Sequence, residues 1–196
     1  MNADELYRRY AAGERDFRLV NLQGANLSNA NLSEANFWKA NLVGANLSNS
    51  NLRGAKLSEA DLTGATLWRA NLTGTTLHGA ILSGAIAIRA NLVKVDLSQA
   101  LLVRTDLRLV NLTGASLIKT NLMGTDLRYV DLTEADLREA NLKFTDLAGA
   151  NLRDAKLRFA DLTGANLHRV NLAGADLYEA KLHRAFLPNE LTLRTI

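Results

Sequence analysis

Leucine recurs at every fifth position along almost the whole chain, a spacing that suits neither a helix nor a flat strand. From Phe17 to Leu187 the series has 35 members, all leucine except Phe17, Phe37 and Ala87. Leucines five apart step by about 140° around a helix and scatter over its surface. In a flat strand the odd spacing sends successive leucines to opposite faces. The pattern therefore predicts a chain that bends once per repeat, always toward the leucine.

The residues before each leucine are equally constrained. From Val20 to Ala185 the position two before the centre holds only Ala, Ser, Thr or Val. The position just before the centre is usually Asn or Asp, as in Asn21 and Asp61. With this A(N/D)LXX signature in an unbroken frame, the chain resembles the pentapeptide repeat family over nearly its whole length. Its opening, MNADELYRRYAAGERDF, is similar to the leader of cyanobacterial members.

The resemblance implies an all-β fold: a right-handed, four-sided parallel β-helix, or solenoid, with the central and small residues inside and the other three outside. Four sides also follow from the residues themselves. Of 13 glycines, ten fall at numbers ending in 4, so the corner chemistry alternates with a period of ten. Asparagine repeats with a period of twenty, in a column interrupted only by Asp131: Asn31, Asn51, Asn71, Asn91, Asn111, Asn151 and Asn171. An even number of sides, and four rather than three, fits both periods.

At the strand spacing of about 4.8 Å, about nine coils make a rod about 40 Å long whose open ends need covers. We expect residues 1–15 to form a helical cap, 16–187 the solenoid and 188–196 a tail or second cap. Asp4 is the expected N-cap of a short helix that Gly13 ends. Leu6, Tyr7, Tyr10 and Ala11 would face the first coil. Beyond Pro188, the apolar tail residues Leu191, Leu193 and Ile196 either fold back or meet a second molecule.

Composition narrows the function classes. The net charge is +3, from 23 basic and 20 acidic residues spread without runs, which is typical neither of a nucleic-acid-binding tail nor of an acidic mimic. There is no cysteine, and no apolar run approaches the roughly 20 residues of a membrane span. The N-terminus has no apolar signal core. We therefore expect a cytoplasmic protein with no membrane partner.

Nothing in the sequence indicates catalysis. A solenoid offers a leucine-filled interior and convex sides instead of a cleft. His78, His168 and His183 each follow a centre, and they fall on different sides or coils. No glycine-rich phosphate loop opens a helix, and no base accompanies an outward serine. We expect no enzyme activity, no catalytic or metal-binding residues, no cofactor and no small-molecule substrate.

Two sets of outward residues are candidate contacts. An apolar set replaces usual polar positions and suggests a partner or self-association, although branched residues also favour strands. A basic-aromatic corner contains no acid, although Asp106, Asp126 and Asp146 nearby offer to pair with its arginines. The apolar set is Ile81, Ile86, Ile88, Leu101, Val103 and Met123; the corner is Trp68, Arg69, Arg89, Arg108, Arg128, Tyr129, His168 and Arg169.

The interior has one irregular repeat. Ala87 stands where every neighbouring repeat has leucine. A leucine-to-alanine change in a packed core costs about 2 to 5 kcal/mol unless neighbours fill the space. Either Ile86 or Ile88 turns inward, or the rod carries a local void.

The leading functional hypothesis is a non-catalytic protein–protein interaction module that presents a patterned rod surface to an unidentified protein or to a second copy. The alternative comes from the resemblance, since some family members mimic DNA and bind topoisomerases, giving quinolone resistance. The near-neutral to basic surface disfavours that role, and only a strip around Asp126, Asp131, Glu134, Asp136 and Asp146 supports it. Direct binding of nucleic acid by the arginines is a third class, which we do not expect.

Overall fold

Parallel bridges between residues twenty apart organise the structure, a computed structural model that describes residues 1–187. The first bridge joins Asp16 to Asn36 and the last joins Asn166 to Phe186, and every residue just before a repeat centre takes part. Four pentapeptides therefore make one coil. Each coil contributes single bridged residues separated by turns, so no longer strand forms among the described residues. We name the sides by their first bridged residue: face 1 begins at Asp16, face 2 at Asn21, face 3 at Asn26 and face 4 at Asn31.

Backbone hydrogen bonds tie each coil to the next in a fixed register. The Leu22 N–H donates to the carbonyl of Asn41 at 2.8 Å, and the Asn41 N–H donates back to the carbonyl of Val20 at 2.9 Å. At the corner the Gly24 N–H donates to the carbonyl of Val43 at 2.8 Å. The same three bonds recur along the rod, so the backbone groups that the turns leave free are satisfied by neighbouring coils.

A tight turn forms every corner. The Ala25 N–H donates to the carbonyl of Leu22 at 3.0 Å, and Gly24, the third residue of the turn, has a φ of +64°. A positive φ at this position alone is the pattern of a type II turn. Glycine adopts it without strain, yet many corners hold side chains there. Tyr129 is one, with a φ of +57°.

The interior is a stack of leucine layers lined by small residues. Leu102 and Ala100 are fully buried, as are the corresponding residues of most coils. Where a threonine replaces the alanine, its hydroxyl donates to a backbone carbonyl, as Thr105 does to Leu82 at 2.9 Å. Among residues 1–187, no buried side-chain nitrogen or oxygen lacks a hydrogen-bond partner. The small position thus tolerates a hydroxyl because a backbone carbonyl is within reach, either in the neighbouring coil, as for Thr105, or in its own turn, as for Ser50, which donates to Leu47 at 2.7 Å.

Helix α1, Ala3–Ala11, covers the start of the rod. Leu6 is fully buried, and the Tyr10 hydroxyl donates to the carbonyl of Ser33 at 2.9 Å. The expected N-cap, Asp4, is wrong: the Asn2 side chain accepts the N–H of Glu5 at 2.9 Å, and Asp4 lies in the first turn. The helix starts earlier because asparagine is as good an N-cap as aspartate.

The end of helix α1 and the first two core layers complete the N-terminal end. Ala11 is exposed and does not face the first coil, because the chain already turns away at the C-cap Ala12 before Gly13, which has a φ of +94°. Phe17 and Phe37 stack in the first two layers, with their ring centroids 5.6 Å apart.

No helix among the described residues has the length and apolar character that a membrane span requires. The predicted tail, 188–196, lies outside the described residues.

Ala87 lies in the leucine column between Leu67 and Leu107, and no side chain of an adjacent residue fills the space left by the missing leucine. Ile86 is 43% exposed and Ile88 is partly exposed, so neither side chain turns into the core. The first of the two sequence-based alternatives is therefore wrong. That core layer simply lacks one leucine side chain, because the turn geometry keeps positions 86 and 88 outward in this repeat as in the others.

The variant Ala87→Leu is expected to raise the free energy of unfolding by about 1 to 2 kcal/mol, since it restores the apolar contacts that the column makes elsewhere. Denaturant unfolding measures the change. Leu107→Ala, one coil away, is the matched control and should lower the free energy of unfolding by about 2 to 5 kcal/mol. A destabilised Ala87→Leu protein would mean that the neighbouring coils have already closed the space.

Candidate interaction surfaces

Polar residues before each centre are used to hold the turns. The Asn21 Oδ1 accepts the N–H of Gln23 at 3.1 Å, and Asp61 accepts the N–H of Thr63 at 2.9 Å. The side chain thereby satisfies a corner N–H, which explains the preference for Asn and Asp. Asparagines also bond along the rod, as from Asn51 Nδ2 to Asn31 Oδ1 at 3.1 Å. The asparagine column of face 4 is therefore structural.

Outward charged side chains in most coils lean toward the following coil. Lys39 Nζ lies 3.2 Å from Glu59, and Lys119 Nζ lies 3.4 Å from Glu139. The Tyr129 ring leans the same way, so that a Cβ atom added to Gly149 would stand 2.7 Å from it. Residues twenty apart thus act as direct neighbours, and each column of the surface has its own partner pattern.

The six residues of the candidate apolar set lie together on adjoining sides, and we call them the apolar belt. Ile81 and Leu101 bridge on face 2, and Ile86 occupies face 3. Leu101 is 42% exposed and Met123 is 39% exposed. The belt thus crosses the corner between faces 2 and 3. Its members are Ile81, Ile86, Ile88, Leu101, Val103 and Met123.

At two positions the apolar residues lack a local interaction that many other repeats make. Ile81 and Leu101 stand where asparagine or aspartate in many repeats accepts the corner N–H, although lysine, threonine and serine also replace it, as at Lys56, Thr66 and Ser116. Among the described residues, the N–H groups of Ser83 and Val103 accordingly receive no side-chain acceptor, unlike that of Gln23. Exposing isoleucine and leucine at these positions therefore gives up a hydrogen bond as well as solubility.

The eight candidate corner residues divide into separate groups along the boundary of faces 3 and 4. Arg108 Nη2 lies 2.7 Å from Asp106 and its Nε 3.6 Å from Asp126; Arg128 Nη2 lies 2.6 Å from Asp126 and its Nε 3.7 Å from Asp146. These arginines form a continuous ladder with the three aspartates that the sequence suggested. Their positive charges are therefore offset by carboxylates of the rod itself.

Electrostatics in the ladder follow from these contacts. Burial alone would raise the pKa of Asp126, but hydrogen bonds from the Arg128 side chain and backbone N–H outweigh it and hold the pKa below its usual value. The bond to Asp126 raises the pKa of Arg128 in turn. Both groups therefore stay charged at neutral pH, and their charges cancel locally.

The other corner residues have different surroundings. The Arg69 guanidinium lies 5.1 Å from the centroid of the Trp68 ring, and Arg89 follows one coil later. Tyr129 is 65% exposed. His168 and Arg169 stand two coils beyond Arg128 and are separated from it by Ala148 and Gly149, so the structure does not join them to the rest. Among residues 1–187, no group of histidine and acidic side chains has the geometry to hold a metal ion.

The acidic strip is mostly neutralised or engaged. Arg138 Nη2 lies 2.6 Å from Asp136, and Asp131 accepts the Thr133 hydroxyl at 2.6 Å. Asp126 and Asp146 belong to the arginine ladder. Three acids of the strip, Asp126, Asp136 and Asp146, are thus paired with arginines, whereas Asp131 and Glu134 have no cation within 4.0 Å among residues 1–187.

One aromatic feature was missed in the sequence. Phe159 and Tyr178 meet edge to face, with their ring centroids 6.0 Å apart, at the corner between faces 1 and 2. Phe159 also lines a shallow groove of about 490 Å³ together with Ile118, Lys119 and Arg138. Aligning the chain in rows of twenty would have placed these residues together, since all stand in adjacent outward columns.

Comparison with known proteins gives a consistent picture. The sequence model of the family described as pentapeptide repeats matches in 8 copies, over residues 16–54, 50–86, 90–128, 124–154 and 150–189. The crystal structure of HetL, a pentapeptide repeat protein involved in heterocyst differentiation regulation from the cyanobacterium Nostoc sp. strain PCC 7120, aligns with a TM-score of 0.66. It is 36% identical, with 96% of this chain and 98% of that chain covered. No curated protein sequence matches at a significant level.

A more distant structure shares the fold alone. A trypsin-treated form of QnrB1, a plasmid-mediated fluoroquinolone resistance protein, aligns with a TM-score of 0.54 at 19% identity, covering 84% of this chain and 90% of that chain. Full-length QnrB1 gives a TM-score of 0.52 at 16% identity, covering 85% and 92%.

Acidification is expected to weaken the rod through the ladder. A carboxyl whose pKa is lowered by folding stabilises the protein above its unfolded value of about 3.9, and the contribution is lost as the pH falls through the folded value. The melting temperature should therefore fall less between pH 6 and pH 2 for Asp126→Asn than for the wild type, by about 1 to 3 °C. Arg128→Met keeps the carboxylate but removes its cation, so its melting temperature should also fall less than that of the wild type over this pH range. Identical curves for all three proteins would contradict this assignment.

Proposed function

Because the chain belongs to the pentapeptide repeat family, we propose that it is a non-catalytic, cytoplasmic protein–protein interaction module, a right-handed four-sided rod that binds one protein partner through the apolar belt. The observation that carries the proposal is the exposure of Leu101, Ile86 and Met123 on adjoining sides of the rod. A contiguous apolar patch of this kind is typical of a binding surface. HetL takes part in the regulation of heterocyst differentiation, and a regulatory role by binding is proposed for this chain as well.

The rod is suited to binding with little change of shape. The bonds from Leu82 to Leu101 at 2.7 Å and from Leu101 to Ala80 at 2.9 Å hold the belt's backbone in the stack. A preorganised surface loses little conformational freedom on association, so a modest apolar area is sufficient for specific binding. The mechanism is surface complementarity on a fixed scaffold.

The DNA-mimic alternative has weaker support. QnrB1 resembles this chain at 19% identity, which supports a shared fold and no more. A mimic needs uncompensated negative charge along the rod, whereas Arg128 and Arg138 hold Asp126 and Asp136 in ion pairs. Saturating protein is expected to leave DNA gyrase supercoiling unchanged, with or without a quinolone. Inhibition or protection of gyrase would revive the alternative.

The belt can be tested by placing a photo-crosslinking amino acid at Val103 in cells that express the protein. A discrete adduct with one protein is expected on irradiation. Val43 is the matched control, since it is also a partly buried valine in the same outward column, three coils away and outside the belt. No adduct at position 103, or the same adducts at both positions, would contradict the proposal.

The molar mass of the purified protein, measured by light scattering, tests whether the partner is a second copy of the chain. A wild-type dimer that becomes monomeric in Leu101→Glu would assign the belt to self-association. A monomer in both proteins, together with a heterologous adduct at Val103, would assign it to another protein.

A further inference from the structure

Arg69 and Arg89 occupy the same outward column in successive coils, and neither has a carboxylate partner among residues 1–187. Two corner lysines are each followed one coil later by a glutamate: Lys39 by Glu59 at 3.2 Å and Lys119 by Glu139 at 3.4 Å. Arg69 is followed instead by Arg89, and Arg89 by Leu109. Because residues twenty apart are direct neighbours in successive coils, the backbones of these two arginines lie about 4.8 Å apart.

No acid of the described chain compensates this pair. Within residues 1–187, neither guanidinium lies within 4.0 Å of a carboxylate, whereas Arg108 and Arg128 further along the same corner each contact two aspartates. The bridged column of face 4 beside them is asparagine from Asn31 to Asn111. Like charges directly opposite each other on neighbouring strands are destabilising. The pair therefore carries two positive charges that no carboxylate of residues 1–187 offsets, and an anion of a partner would pair with them.

Apolar side chains surround the two arginines. Arg69 lies over the Trp68 ring at 5.1 Å, and Ile88 directly precedes Arg89. Trp68 and Ile86 are 37% and 43% exposed. Ile86 and Ile88 also belong to the apolar belt, so the arginine pair borders the proposed interface. A cation beside apolar surface pairs more strongly with an anion when a partner excludes the water.

We propose that the arginine pair receives an acidic, extended segment of the protein partner, in which two carboxylates bind Arg69 and Arg89 while neighbouring apolar side chains pack on Ile86 and Ile88. Acids two residues apart in an extended segment lie about 7 Å apart, which the long side chains of two stacked arginines can span. Arginine suits this role because its planar guanidinium binds carboxylate through two parallel bonds. The inference rests on the proposed function and names the chemistry of the partner.

Selection from a random peptide display library on the immobilised wild-type protein tests this directly. The enriched peptides are expected to carry two acids next to an apolar residue. Their affinity, measured by fluorescence anisotropy, should fall at least about tenfold for the double variant Arg69→Glu, Arg89→Glu. It should also weaken as the salt concentration rises. The double variant Lys56→Glu, Lys94→Glu is the control, since it makes the same charge change away from face 3, and it should bind as the wild type does. Circular dichroism checks that both variants are folded.

The outcomes separate the two proposals. Peptides that lose binding in Leu101→Glu but keep it in Arg69→Glu, Arg89→Glu would leave the belt as an interface and overturn the acidic chemistry. Peptides indifferent to all of these variants, or no enriched sequence, would count against both. A short DNA duplex is the second probe. Duplex binding by the wild type that the arginine variant abolishes would assign the pair to phosphate and overturn the inference.

Discussion

The hydrogen-bonded register between coils is the constraint on which the rest of this molecule depends. Each centre donates its N–H to a carbonyl nineteen residues later, as from Leu22 to Asn41, and the residue before each centre donates to a carbonyl twenty-one residues earlier, as from Asn41 to Val20. An inserted residue would move every later leucine out of its layer and every later N–H off its carbonyl. The unbroken five-residue frame is a direct consequence. Because each coil is stabilised only by its neighbours, the constraint is local and can extend over any number of coils.

The same register turns the surface into a lattice. Outward residues twenty apart stand about 4.8 Å apart, and in most coils their side chains lean toward the following coil, so single substitutions create or remove pairings in a predictable direction. The ladder through Arg108 and Arg128 arises in this way from three aspartates and two arginines. The stacked pair Arg69 and Arg89 arises from the same geometry without acids. A binding surface can therefore evolve here by changing outward residues alone, because the interior is independent of them.

The apolar belt and the part of the basic-aromatic corner at Arg69 and Arg89 lie in one region of the rod. Ile86 and Ile88 lie in the apolar belt and also adjoin Arg89, so face 3 carries apolar and cationic side chains next to one another. This arrangement resembles the anatomy of protein interfaces, in which apolar and aromatic residues and arginine are enriched. The neutralised ladder continues the same corner toward the C-terminal end, where its paired charges offer little to an additional partner. The arrangement supports the proposal that a partner binds in the middle of the rod.

Sequence alone determined the interior and the periodicity. Every repeat has the same local geometry, and this geometry requires a leucine, a small residue before it and often a glycine at the corner. The twenty-residue period of asparagine gave the four-sided coil, which the bridge register shows directly. Sequence also placed Ile81 and Leu101 outward. It suggested that Asp106, Asp126 and Asp146 pair with Arg108 and Arg128, which the structure shows. It could not decide whether an acid of another repeat reaches Arg69 or Arg89. It named Asp4 as the N-cap where the structure has Asn2, and it could not decide how the side chains at positions 86 and 88 point around Ala87. These depend on where neighbouring coils and the first layer stand in space, which only the tertiary structure fixes.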